Sequence, residues 1–238
     1  MKVFYAGDSE AGGPANYLLG ILRFIRAKVV HVPPGKRLTP ALFKEQFDVI
    51  ILSDFSRKDT PSSVQKNIVE QADKGAGLLM VGGWRSFSGP FGGWRGSIVE
   101  KILPVRCSTK DDRLNFPGGA HITLKRKHPA IRPISFHAPP VICGLNQIQP
   151  KKNSQVLLTA KRLLDGKEFP LLIVDQNRKS AALATDLAPH WCGGMVDWGS
   201  RRLKLKVTGK IRIEVGDRYV KFVSSLIRWL AAKRNYAE

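Results

Sequence analysis

Acidic residues are scarce in this chain: Asp and Glu total 19 against 39 Lys and Arg, a formal net charge of +20 over 238 residues. That deficit excludes an acidic, cation-collecting protein and brings nucleic acid, anionic surfaces and acidic small molecules into view. The basic residues are spread along the chain and not gathered in one tail, which also fits an ordinary solvated basic face. Cysteine is nearly absent. Cys107, Cys143 and Cys192 are too few and too far apart for a disulfide framework or a zinc-ligand pattern. His121, His128 and His137 are too irregularly spaced to ligate a metal, so no metal is expected. No apolar run approaches membrane-spanning length, and MKVFYAGDSE lacks the apolar core of a signal peptide. A cytoplasmic protein without a membrane segment is expected.

The most informative stretch runs from Gly75 to Gly96, GAGLLMVGGWRSFSGPFGGWRG. Leu78 to Val81 is a short apolar run of the kind buried on both faces of a parallel sheet. It stops at Gly82-Gly83, where the backbone can turn sharply. The Trp, Arg, Ser and Gly that follow suit the mouth of a pocket better than a core. Loops at the carboxyl ends of parallel strands are where open α/β folds bind ligands. The glycines are not followed by the Lys-Ser/Thr of a phosphate-binding loop, so no nucleotide cofactor is expected.

The remaining pattern alternates strand and helix. Strands are predicted over 2–6, 28–32, 48–52 and 77–81, with helices over 14–27 and from Thr60-Pro61 to Gly75 and a short one over 40–46. Such alternation implies right-handed crossovers and a mainly parallel sheet. Arg106 to Pro140, rich in Pro, His and Arg, has no clear period and reads as an inserted irregular segment. Strands resume near 156–160, 170–174 and 180–185. A hairpin over 203–215 turning at Thr208-Gly209 and a closing helix over 217–233 complete a chain with no convincing internal linker, read as one domain over 1–238.

VFYAGDS, DVIILSDF, GLLMVGGWRSFSGPFGGWRGSIVEKILPV, PPVICGLNQIQPKKNSQVLLTA and SAALATDLAPHW occur in the order seen in the putative glutamine amidotransferase-like proteins, which the chain resembles. The resemblance covers most of the chain apart from about 106–131 and the basic hairpin. It implies a class I glutamine amidotransferase-like fold, a flavodoxin-like three-layer α/β sandwich. In that class a cysteine nucleophile stands on a strand-to-helix elbow, with a His and a Glu nearer the C-terminus. An elbow lowers the thiol pKa and helps hold the oxyanion. Here Met80, Val81, Gly82 and Gly83 fill every register of the elbow, and no cysteine precedes Cys107. The His-Pro-Glu-like element is matched only loosely, by Asp186 to Trp191. Glutaminase chemistry is therefore not expected of this chain.

A ligand cleft is expected at the carboxyl edge of the sheet, built from Asp8, Ser9, Asp54, Gly82, Gly83, Trp84, Arg85, Ser86, His190 and Trp191. Asp8 and Asp54 both end strands; a polar ligand or turn chemistry explains Asp8 equally well, and helix capping is favoured for Asp54. An indole beside a guanidinium suits a sugar, an aromatic ring or an anionic group. His190 with Cys192 or an activated water forms the alternative, enzymatic reading. Neighbours in one loop seldom point at each other, so Cys192 reads first as a small packing residue, like Cys107 and Cys143. The expected partner is a small molecule or a protein; nucleic acid, on the charge alone, and self-association remain open.

Overall fold

A computed structural model describes residues 1–9, 13–132 and 134–232. Short apolar runs rich in Val, Ile and Leu become the central strands: β1 (Lys2–Gly7), β2 (Lys28–Val32), β3 (Val49–Ser53) and β4 (Gly77–Val81). Every residue of β3 and β4 is buried, as strands covered on both faces must be. Helices α1 (Ala15–Phe24) and α2 (Ser62–Asp73) supply the crossovers, followed by the short α3 (Ile98–Ile102). Thr60 does not cap α2 as its position suggests. Its hydroxyl donates to the Ser56 carbonyl, drawing it into the preceding turn, and Pro61 occupies the capping position with no side-chain bond.

After a two-residue strand β5 (Val105–Arg106), the segment read as irregular contains the longest strand of the molecule, β6 (Arg113–Leu124). Pro117-Gly118-Gly119 interrupts its alternation where the pairing register shifts between Asn115 and Ala120, which hides the period from sequence. β7 (Val141–Asn146) pairs with β6, and the short β8 (Gln149–Pro150) returns to pair with β5. Strands β9 (Gln155–Arg162), β10 (Glu168–Asp175) and β11 (Ser180–Leu183) follow.

The nine-stranded sheet runs β2-β1-β3-β4-β11-β10-β9-β6-β7. Pairing is parallel from β2 through β11 and antiparallel beyond. The chain closes with the single turn α4 (Gly193–Val196), the two-stranded ribbon β12 (Arg202–Thr208) and β13 (Ile211–Gly216), and α5 (Asp217–Ala231). Lys233, the expected end of that last helix, lies outside the described residues. α5 carries Val220, Val223, Leu226, Ile227 and Leu230 inward, packing on β3 and β4 beside α1. α2 and α3 pack together, and the result is a mixed, mostly parallel α/β sandwich. Among the described residues no helix is long and apolar enough to cross a membrane.

Candidate functional site

β1 and β3 are neighbours in register, Gly7 opposite Ser53, so the residues that follow them, Asp8 and Asp54, emerge side by side. Both adopt left-handed backbone, φ +51° and +48°, a conformation Asp tolerates better than most residues and one that turns each chain sharply out of its strand. The loop after β4 and the loop after β11 reach the same edge. Together they enclose a cleft of about 680 Å³ lined by Asp8, Ser9, Pro14, Pro33, Pro34, Asp54, Gly83, Trp84, Arg85, Asp186, His190 and Trp191.

Most of the expected residues therefore converge, with two corrections. Gly82 and Ser86 lie buried beneath the loop and do not line the cleft. Ser86 instead acts from below: its hydroxyl donates to the Val81 carbonyl and accepts the Asp54 amide at 3.0 Å. Asp54 caps no helix. Its Oδ1 accepts the amide of Arg85 at 2.6 Å, tying the end of β3 to the loop after β4.

The loop after β4 is held tightly. At Gly83, φ is +144° and an added Cβ would lie 2.5 Å from the Asp54 carboxylate, so only glycine fits. At Gly82 a Cβ would collide with the carbonyl of Ala184. Asn146, fully buried at the end of β7, accepts the Gly83 amide at 2.9 Å and donates to the Gly83 carbonyl at 3.2 Å. Its amide also donates to Asp112 at 2.7 Å, whose other oxygen accepts the Ser88 amide. Neither residue carries a sequence signal for this role, because the bonds cross from a distant strand.

The cleft is acidic within a basic protein. Burial pushes the Asp8 carboxyl up to about 7; the hydroxyl of Tyr5, which donates to it, works in the other direction, and the charges of Asp54 and Asp186 raise it further. Asp54 is also raised, first by burial, although the Arg85 amide and guanidinium oppose the shift. Asp186 receives the amides of Trp191 and Cys192 at 3.2 and 3.0 Å and lies 3.5 Å from Nδ1 of His190. That hydrogen bond raises the His190 pKa above its usual value. Pro14, Pro33 and Pro34 are lining residues that the sequence pattern does not mark out, and Asp186, from the element loosely matching His-Pro-Glu, lines the cleft with them.

The aromatic residues differ in role. Trp84 is 54% exposed, with the Arg113 guanidinium 4.1 Å from its ring centre. Trp191 is nearly buried, its indole donating to Asn115 at 2.9 Å over Gly144, where a side chain would collide with it. Arg85 turns its guanidinium over the Phe91 ring at 5.7 Å.

The cysteines sit elsewhere. Cys192 is fully buried, its thiol donates to the Ala188 carbonyl at 3.0 Å, and burial pushes its pKa well up. Cys107 is buried and likewise raised, whereas Cys143, expected to pack, is exposed on β7, the edge strand of the sheet. A buried thiol with a raised pKa is a poor nucleophile. Among the described residues no group of three or more His, Cys, Asp or Glu side chains is arranged to hold a metal ion.

Parallel strands feeding loops at one sheet edge, with the cleft over those loops, define an open α/β protein with its ligand edge at the carboxyl ends of the strands. The chain belongs to the family described as "Putative glutamine amidotransferase", whose model matches residues 16–212. A comparison with curated proteins gives no match. Among solved structures it is similar to Cytoplasmic Protein STM1381 from Salmonella typhimurium LT2, with TM-score 0.75 and 24% identity over 97% of this chain and 99% of that one. Cytoplasmic Protein STM3548 from Salmonella typhimurium gives TM-score 0.74 and 21% identity over 96% and 98%. A putative GMP synthase protein from Thermoplasma acidophilum gives 0.53 and 11% over 97% and 94%. Likenesses at these identities carry the fold alone.

Proposed function

We propose that this protein binds a small, polar, hydroxyl-rich ligand in the cleft at the carboxyl edge of the sheet, on a scaffold that has lost glutaminase chemistry. The observation that carries the reading is the loop after β4. Met80, Val81, Gly82 and Gly83 fill the stretch where an amidotransferase-like elbow is expected, none of them is a cysteine, and neither glycine has room for a Cβ. Three carboxylates converge on the cleft, and Asp8, with a pKa of about 7, is available both to donate and to accept near neutrality. Trp84 offers an aromatic platform at the rim. Acceptors, one switchable acid and an indole face match the hydroxyls and the apolar face of a sugar or polyol.

The test is a thermal-shift screen across sugars, polyols, nucleotides and other metabolites, run beside an assay for ammonia release from glutamine. At least one hydroxyl-rich compound raises the melting temperature, glutamine is not hydrolysed, and Trp84→Ala keeps the fold while losing the shift. A folded Trp84→Ala protein that retains every shift sinks the assignment of the cleft.

A second reading rests on the Asp186–His190 pair, which is also how a water-activating base is oriented. It predicts a hydrolytic activity abolished by His190→Ala and indifferent to Cys192→Ala. An activity that survives His190→Ala rules it out.

A further inference from the structure

The ribbon β12–β13 lies outside the main sheet and its two faces differ completely. Leu205, Val207 and Val215 are buried, and Leu205 and Ile213 pack over Gly20 of α1, where there is no side chain to hold them off. This fixes the ribbon on the body and leaves the other face to solvent. That outer face carries Arg202, Lys204 and Lys206 on one strand and Arg212 on the other, with Glu214 as its one carboxylate. Alternate strand residues recur about every 7 Å, so these cations form a row.

The row is neutralised only at its Arg202 end. Glu214 stands opposite Lys204 and also meets Arg202, which is paired with Asp197 as well. Lys206 and Arg212 stand directly opposite each other, and among the described residues neither has an ion pair. Like charges in that position destabilise a ribbon unless something anionic lies over them. Arg23 extends the field, its guanidinium donating to the Val207 carbonyl at 3.1 Å beside the strand edge, and Lys210 adds a charge at the turn.

We propose that the outer face of the β12–β13 ribbon docks on duplex DNA, gripping the phosphate backbone without sequence preference. A two-stranded ribbon fits the B-form major groove, whereas the A-form major groove is too narrow to admit one. The outer face has no aromatic side chain on which unpaired bases could stack, which disfavours single strands. It also has no exposed apolar side chain to sink into a lipid interface. The proposal is independent of the cleft.

The experiment is fluorescence anisotropy with a 20-base-pair duplex of arbitrary sequence, titrated from 50 to 200 mM salt. The wild-type protein binds at 50 mM. The exposed-site variant Lys204→Glu/Lys206→Glu/Arg212→Glu loses at least tenfold in affinity, and its log–log salt slope is shallower by about 0.9 for each phosphate no longer neutralised. Lys206→Gln alone loses a smaller part of both, which guards against a misfolded triple variant. Charge reversal of Lys66 on α2 and of Lys74 just after it leaves affinity near wild type. The proposal is overturned by undetectable wild-type binding at 50 mM salt, or by equal losses in the ribbon and α2 variants. Tighter binding to phosphatidylserine vesicles or to single strands than to the duplex also overturns it.

Discussion

The hydroxyl of Tyr5 donates to the carboxylate of Asp8, joining the interior of β1 to the floor of the cleft. Tyr5 is fully buried and stacks on His31 of the neighbouring strand, ring centres 4.6 Å apart. The bond fixes where the Asp8 carboxyl points and favours its ionised form, yet burial and the two neighbouring aspartates outweigh it.

A pH dependence of stability follows from that balance. Asp8 titrates near 7 in the folded protein and near the ordinary 3.8 when unfolded, so between these limits the native state binds the extra proton. The contribution is fully present below about 4 and is lost as the pH rises to about 7. Its size is on the order of 4 kcal/mol. Urea unfolding at pH 4.5 and pH 8 should show a wild-type loss that Asp8→Asn does not share. Parallel behaviour of the two proteins would contradict it.

His190 should titrate above the ordinary histidine range, because Asp186 favours its charged form. NMR of the ring protons measures this directly. Asp186→Asn should lower the midpoint, and Cys192→Ser should leave it in place, since that thiol donates to Ala188 and not to the imidazole.

Asn146→Ala should destabilise the protein by about 1–3 kcal/mol, because it strands the buried amide of Gly83 and leaves the Gly83 carbonyl only the Ser86 amide as donor. Chemical denaturation gives the loss. Hydrogen exchange at Gly83 and Ser88 should quicken in the variant, since the Asn146–Asp112 pair holds both segments. Unchanged exchange there would place the loop's support elsewhere.

The half of the fold legible in sequence is the half where local pattern and tertiary burial agree. β3 and β4 are continuous apolar runs bounded by Asp48 and Ser53 or by Gly82, and β2 is observed over its expected residues. β6 was illegible because Pro117-Gly118-Gly119 breaks its period at a bulge. The convergence of Asp8, Asp54, Trp84 and His190 could be read because parallel strands deliver their carboxyl ends to one edge. Asn146 and the three prolines could not, because their part depends on where β7, β2 and α1 pack. Ser86 illustrates the opposite limit: a polar residue in the right loop proved to face the floor, bonded to Val81 and Asp54.

Calorimetric titration of the compound giving the largest thermal shift, into wild type, Trp84→Ala and Asp186→Asn, is the most direct test of the cleft. A single site in the wild type, weakened at least tenfold by each substitution in folded protein, is the predicted result. Unchanged affinity in both variants would contradict the binding of a ligand between the loops after β4 and β11.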